Sequence, residues 1–284
     1  MNPDPYVYSC YNHGPQKWAT ETLNMFEPLH PNPMSVLDIG CGTGEVTHFL
    51  LDKFRDAEVL ALDKNKAMVD FAKENNSHPR IEYITADIQR KTDFSPEMKN
   101  GYDLAFSFLC LQWVDDQRST LENIFNLLKD QGECLFALGT KPSQAFLSLL
   151  KEIQDHPRWR PYLQKFCPNL WNTSSNGLIR WRVPDPISGY SALLRGAGFT
   201  IVSATSREFQ YVPETDDKCK GMLEILMPHV RAIPENIRPE FMDDALDIFI
   251  THCPKTSSGQ TLWQPKLLLF HCAKDRIGPE VCGN

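Results

Sequence analysis

Three glycines at alternate positions, Gly40, Gly42 and Gly44, constrain this 284-residue chain more than any other feature. They stand in VLDIGCGTGEVT (36–47), between an apolar run, SVLDIG (35–40), and a segment with Val46, Phe49, Leu50 and Phe54 at helical spacing. A glycine loop that closes a strand and opens a helix lets backbone approach a ligand closely and turns free helix N–H groups toward it. A dinucleotide fingerprint requires G-x-G-x-x-G and a phosphate loop requires Gly-Lys-Ser/Thr; neither is present.

The same rhythm continues. EVLALD (58–63), IEYITAD (81–87), YDLAFS (102–107) and ECLFAL (133–138) read as further strands, with helices over 66–75 and 119–129, the latter ending near Gly132. This alternation predicts an α/β fold with a mostly parallel sheet, helices on both faces, and ligands at the loops that follow the strands. Beyond residue 140 the pattern changes. Helices are expected over 143–154, 218–233 and 239–253, and a helix stopped by Gly-x-Gly leads into a strand over 199–209. A last strand covers 265–274, and 275–284 reads as a frayed tail. At roughly 150 residues per domain the length suggests two domains. The pattern instead predicts one, 1–284, with a core at 35–140 and cap elements at 1–34, 141–186 and 213–260.

Charge narrows the partners. Twenty-nine Lys and Arg against 36 Asp and Glu give a net charge of −7, which disfavours nucleic acid as the main ligand. Arg158, Arg160, Arg180 and Arg182 do interleave with Trp159, Trp171 and Trp181 in a way that can stack on bases, but packing beneath an irregular loop is the preferred reading. The nine cysteines show no C-x-x-C pair and their total is odd, so reduced thiols, no metal and a cytoplasmic location are expected. No apolar run reaches the roughly 18 residues of a membrane span, and no secretory signal opens the chain.

Carboxylates mark the strand ends. Asp38 precedes the first glycine, Asp63 ends the second strand with Lys64 beyond it, and Asp87 ends the third. An acceptor-only group at the second position suits a ribose diol, and Asp87 can take an adenine amine. With the glycine loop, this pattern resembles class I S-adenosylmethionine-dependent methyltransferases over about residues 35–140. The resemblance implies a Rossmann-like seven-stranded sheet ending in an antiparallel strand pair, here 199–209 and 265–274, with helical cap insertions. It implies that Gly40, Gly42 and Gly44 pass under the methionine part of the cofactor, with Cys41 a small filler. Asp63 would take the ribose hydroxyls with Lys64 near the adenosine, Asp87 and Ile88 would lie at the adenine, and Ser107 would face the methionine. S-adenosyl-L-homocysteine would be the product.

Further likeness extends nearly end to end. YNHGPQKWATETL with Gln16, LQWV with Trp113, and YLQKFCPNLW, ISGYSALLRGAGF and MPHVRAIPENIRPEFMDDAL resemble the juvenile hormone acid and farnesoic acid O-methyltransferases. The family pattern implies that Gln16 and Trp113 hold a substrate carboxylate. A Gln amide and an indole N–H are neutral donors, which orient an anion without an ion pair that would stabilise the ground state. A carboxylic acid of pKa about 4 to 5 is already ionised at neutral pH, so His13 is not needed as a base. Aromatics at 11% and apolar residues in 218–253, among them Met222, Phe241, Met242 and Phe249, predict a tunnel for a long hydrophobic acid, the alternative being that these helices pack on each other. The alternatives are a trans-aconitate-like or quinone/phenol methyltransferase, or a cofactor-binding regulatory protein without activity, which would keep Asp63 but not need Gln16.

Overall fold

A computed structural model describes residues 4–139, 142–164 and 185–274. Seven strands form one sheet in the order β3-β2-β1-β4-β5-β7-β6: β1 (Ser35–Ile39), β2 (Glu58–Asp63), β3 (Ile81–Thr85), β4 (Tyr102–Phe108), β5 (Leu128–Gly139), β6 (Thr200–Glu208) and β7 (Lys266–Ala273). β1 to β5 run parallel, and β7 is antiparallel to both β5 and β6. The chain reverses order after β3, so the ends of β1 and β4 open a crevice where the next crossover departs to the other side.

Strand alternation sets the two faces. Val36, Val59, Leu104 and Phe106 enter one core cluster; Leu37, Ile39, Ala105 and Leu62 enter the other. The second face is covered by α5 (Gln117–Leu127), capped by Asp116, and α8 (Pro186–Gly196), which stops before Gly198 at φ 102°. The first is covered by α3 (Glu45–Lys53) and α2 (His13–Met25), and above them by α6 (Gln144–Asp155), α9 (Asp216–Leu226) and α10 (Arg238–His252). α1 (Pro5–Tyr11) lies before α2, α4 (Lys66–Asn75) joins β2 to β3, and α7 (Arg160–Leu163) follows α6.

The structure departs from the sequence expectations at three places. The fifth helix ends at Leu127, and the strand starts at once, passing through an irregularity where Gln131 has φ 65° before regular pairing resumes at Glu133. The helix expected over 218–233 starts earlier, capped by Thr215, and stops at Leu226, because Pro228 lacks the N–H that would continue it. The N-terminal segment, for which no helix was predicted, forms two. Arg180, Arg182, Trp171 and Trp181, and the tail at 275–284, lie outside the described residues. Trp159 is fully buried and donates its indole N–H to Asp244 at 2.7 Å, so it packs the cap as expected. Among the described residues no helix is long and apolar enough to cross a membrane, and no cluster of three or more His, Cys, Asp or Glu can hold a metal.

Candidate active site

The glycine loop is held by backbone first. Gly40 and Cys41 donate to the Leu62 carbonyl at 2.8 and 3.0 Å, and Gly44 donates to the Cys41 carbonyl at 3.0 Å. Two of the glycines are required by crowding. Gly40 sits at φ 79°, and a Cβ there would overlap the Cys110 side chain; Gly44 sits at φ 94°, with the Tyr83 hydroxyl 2.7 Å from where a Cβ would be. Gly42 differs: its open side meets only Tyr8, at 3.7 Å. There a Cβ would make an ordinary contact with the Tyr8 ring, so Gly42 is favoured by its φ of 57° rather than by crowding.

Asp63 ties the loop to β2. One carboxylate oxygen accepts from the Gly42 N–H at 3.1 Å and the other from the Asn65 N–H at 2.8 Å, leaving each a lone pair for a diol. Burial raises its pKa, against the pull of those two N–H groups and Lys64. Lys64 itself is exposed. Asp38 is buried at the end of β1 and accepts from the Thr47 hydroxyl at 2.7 Å; burial pushes its pKa up to about 7. A carboxyl poised there responds to any cation brought into the loop.

Asp87 lies two residues past the end of β3, and one of its oxygens accepts both the backbone and side-chain N–H of Gln89 at 3.1 Å. Ile88 is buried, with its carbonyl taken by Asn123 at 2.8 Å. Ser107 falls inside β4 rather than after it, fully buried, and its hydroxyl donates to the Ile39 carbonyl at 2.9 Å. It therefore pins β4 to β1 at the strand end where it was expected to face the methionine part of the cofactor. Cys41 is buried with its thiol pKa raised by burial, as befits a filler.

Gln16 and Trp113 reach the two ends of the glycine loop by different routes. Trp113 closes a 3-10 turn, Leu111–Trp113, and donates its backbone N–H to the Cys110 carbonyl at 2.8 Å, while the Cys110 side chain lies against Gly40. The preceding Leu109 takes φ 51°, a backbone conformation that costs an L-residue about 1 to 2 kcal/mol and turns the chain sharply at the strand end. On the other side Gln16 donates to Asn12 at 2.5 Å, and Asn12 donates to Glu45, the first residue of α3, at 3.3 Å. His13 is exposed at the start of α2.

Residues that sequence reasoning missed sit on α1. Tyr8 faces Gly42, and burial beside Glu45 and Asp63 raises its phenol well above the ordinary range. Ser9 donates to Glu45 at 2.6 Å. The signal for this helix was present: Asp4 followed by Pro5 is an N-cap before a first-turn proline, and Asp4 accepts from the Tyr6 and Val7 N–H groups. Cys110, whose thiol burial lifts to about 12, had no such signal.

Of the two readings of the cap helices, the structure favours packing on each other. Met222, Phe241, Met242 and Phe249 are buried in a single cluster with Trp18, Leu149 and Trp159, so they pack on one another instead of lining a tunnel.

A reversed α/β sheet with a glycine loop at its crevice, and carboxylates at the neighbouring strand ends, defines an enzyme of the Rossmann-like kind that holds a nucleoside cofactor. A family model described as "Methyltransferase domain" matches residues 36–132. The chain is 26% identical over 216 residues to the juvenile hormone acid O-methyltransferase of Bombyx mori, covering 75% of this chain and 73% of that protein. It is 31% identical over 188 residues to the malonyl-[acyl-carrier protein] O-methyltransferase of Halalkalibacterium halodurans, covering 61% and 67%. The solved phosphoethanolamine N-methyltransferase 2 of Haemonchus contortus, in complex with S-adenosyl-L-methionine, shares the fold with a TM-score of 0.56 at 13% identity, over 97% of this chain and 58% of that one. The chain belongs to the class I S-adenosylmethionine-dependent methyltransferases, and S-adenosylmethionine is its cofactor. The residues fit that group: the glycine loop would pass beside its methionine part, and Asp63, with lone pairs left after its two N–H bonds, would accept from its ribose hydroxyls.

Proposed function

We propose that this enzyme is a carboxyl O-methyltransferase that makes the methyl ester of a hydrophobic carboxylic acid of the juvenile hormone acid or farnesoic acid type, as a single domain working in the cytoplasm. The carrying observation is that Gln16 and Trp113 are tied to the two ends of the glycine loop, one through Asn12 and Glu45, the other through Cys110. A neutral amide donor tied to the cofactor loop, with a Trp in the turn that packs against it, suits a substrate whose negative charge disappears in the reaction.

Bound S-adenosylmethionine supplies an activated methyl group. Gln16, Asp63 and the glycine loop provide orientation, which for well-aligned reactants is worth about 7 to 11 kcal/mol. No side chain has to remove a proton, and exposed His13 is left without a chemical task. The apolar tail has half-buried Val7, Tyr8, Tyr11 and Leu109 to lie against, a surface of α1 and the turn after β4. The seven described cysteines are free thiols, in keeping with a reducing compartment. The Bombyx mori relative, named for a juvenile hormone acid, supports the choice of a hydrophobic acid over a diacid.

The test is methyl transfer from labelled S-adenosylmethionine to a panel of terpenoid acids, fatty acids, diacids and phenols. Farnesoic or juvenile hormone acid should be methylated with the highest kcat/KM. Preference for a diacid or a phenol would overturn the assignment.

A further inference from the structure

Asn12 is the residue type that ordinarily caps a helix, and it directly precedes α2, yet its side chain makes no cap hydrogen bond. It is 3% exposed, and both ends of its amide are used elsewhere. Its Nδ2 donates to Glu45 at 3.3 Å and its Oδ1 accepts from Gln16 Nε2 at 2.5 Å. Glu45 also receives the Ser9 hydroxyl at 2.6 Å and the Thr43 hydroxyl at 2.5 Å, so three side chains converge on one carboxylate at the start of α3.

This arrangement has a fixed polarity. An ionised carboxylate only accepts, so Asn12 must turn its NH2 toward Glu45 and its carbonyl toward Gln16. Gln16 must then present its own NH2, one hydrogen of which Asn12 takes. The second hydrogen lies on the same nitrogen, and the Gln16 carbonyl is directed away. We propose that Asn12 and Glu45 are positioning residues that set the flip state of the Gln16 amide, committing it as a donor to the substrate carboxylate; this rests on the carboxylate reading of Gln16 given above. Without the relay the amide can turn over and offer its carbonyl to the anion, which repels it. Because Glu45 opens the helix that follows the glycine loop, donor polarity at the acid is set from the cofactor side of the site. The same carboxylate holds α1 down on that loop.

Three variants and two readouts test it. Asn12→Leu removes both bonds at similar volume. Asn12→Asp opposes Glu45 with a second carboxylate, and the repulsion turns the side chain away from both Glu45 and Gln16. Asn12→Asp with Glu45→Gln reverses donor and acceptor between the two positions and restores the bond. With farnesoic acid, kcat/KM should fall about tenfold in each single variant, the loss of one hydrogen bond to a charged group, while calorimetric affinity for S-adenosylhomocysteine stays within about twofold. The double variant should return to within about threefold of wild type. Wild-type turnover in both single variants, or a double variant no better than Asn12→Asp, would overturn the relay, since a packing role predicts no rescue.

The second readout needs no acid. In 15N spectra of the enzyme saturated with S-adenosylhomocysteine, the Gln16 side-chain NH2 pair should be widely split in wild type and collapse in Asn12→Leu. An unchanged pair would overturn the relay by itself. A wild type that methylates no acid, with the pair collapsing as expected, would count against the carboxylate reading while the relay stands.

Discussion

The cofactor edge and the cap are built by opposite means. At the edge, from Asp38 to Trp113, positions are set by backbone: three glycines with positive φ, a carbonyl at Leu62 shared by two N–H groups, and carboxylates anchored by N–H donors. In the cap, α6, α9 and α10 have few specific bonds and hold together by burying large apolar side chains, with Trp159 to Asp244 and Arg158 to Glu240 among its polar links. Edge geometry follows from what a glycine or a carboxylate must do at its own position. Cap geometry follows from which surfaces happen to fill each other. The first specifies chemistry, and the second specifies volume.

Substitutions can separate the two. Phe249→Ala empties a fully buried site in the cap and should cost about 3 to 5 kcal/mol of folding stability, read by urea denaturation, with cofactor affinity of the folded enzyme unchanged. A matching loss of cofactor affinity would mean that the regions are not independent. Asp63→Ala is the converse: cofactor binding should weaken by about 1.5 to 3 kcal/mol by calorimetry while the melting temperature holds. Unaltered binding would remove the ribose assignment.

Smaller effects sharpen the boundary. Trp113→Phe keeps the ring and loses the N–H, and Gln16→Ala loses the amide; each should lower turnover about tenfold to a hundredfold through misorientation, with cofactor affinity intact. Equal turnover would show that the acid is held elsewhere.

A pH effect tests the edge without a change at the cap. Burial raises Asp38 from the ordinary 3.8 to about 7 in the folded protein, so between about pH 4 and 7 the folded state binds more protons than the unfolded one. Stability without cofactor should therefore decline as pH rises through that window, and Asp38→Asn should flatten the slope. A cationic ligand favours the ionised form, so S-adenosylmethionine affinity should fall, by at most about tenfold per unit, as pH drops below 7. Proton release on binding, measured in buffers of different ionisation enthalpy, checks it.

The same contrast explains what could be read from the sequence. All seven strands were legible: most of the parallel ones are short apolar runs bounded by glycine, acid or turn residues, and the antiparallel pair follows a helix stop and closes the chain's last apolar run. Gly40, Gly42, Gly44 and Asp63 were legible because their types are dictated by conformation or charge. The bond from Ser107 to Ile39 was not legible, since nothing in a sequence tells whether a strand-end hydroxyl faces a ligand or the carbonyl of the next strand. Tyr8, Asn12, Glu45 and Cys110 became visible only when α1 and the turn after β4 were folded against the loop. The cap helices were found, but the sequence left open whether their apolar faces line a tunnel or pack together, because helical spacing records burial without naming what does the burying.

The central claim is that methyl transfer ends on a carboxylate oxygen. Its most direct measurement is the alkali lability of the labelled product formed from farnesoic acid. A methyl ester should release nearly all of its label as methanol under mild base, and farnesol, which lacks the carboxylate, should take up none. Label that survives base, or comparable transfer to the alcohol, would contradict the account.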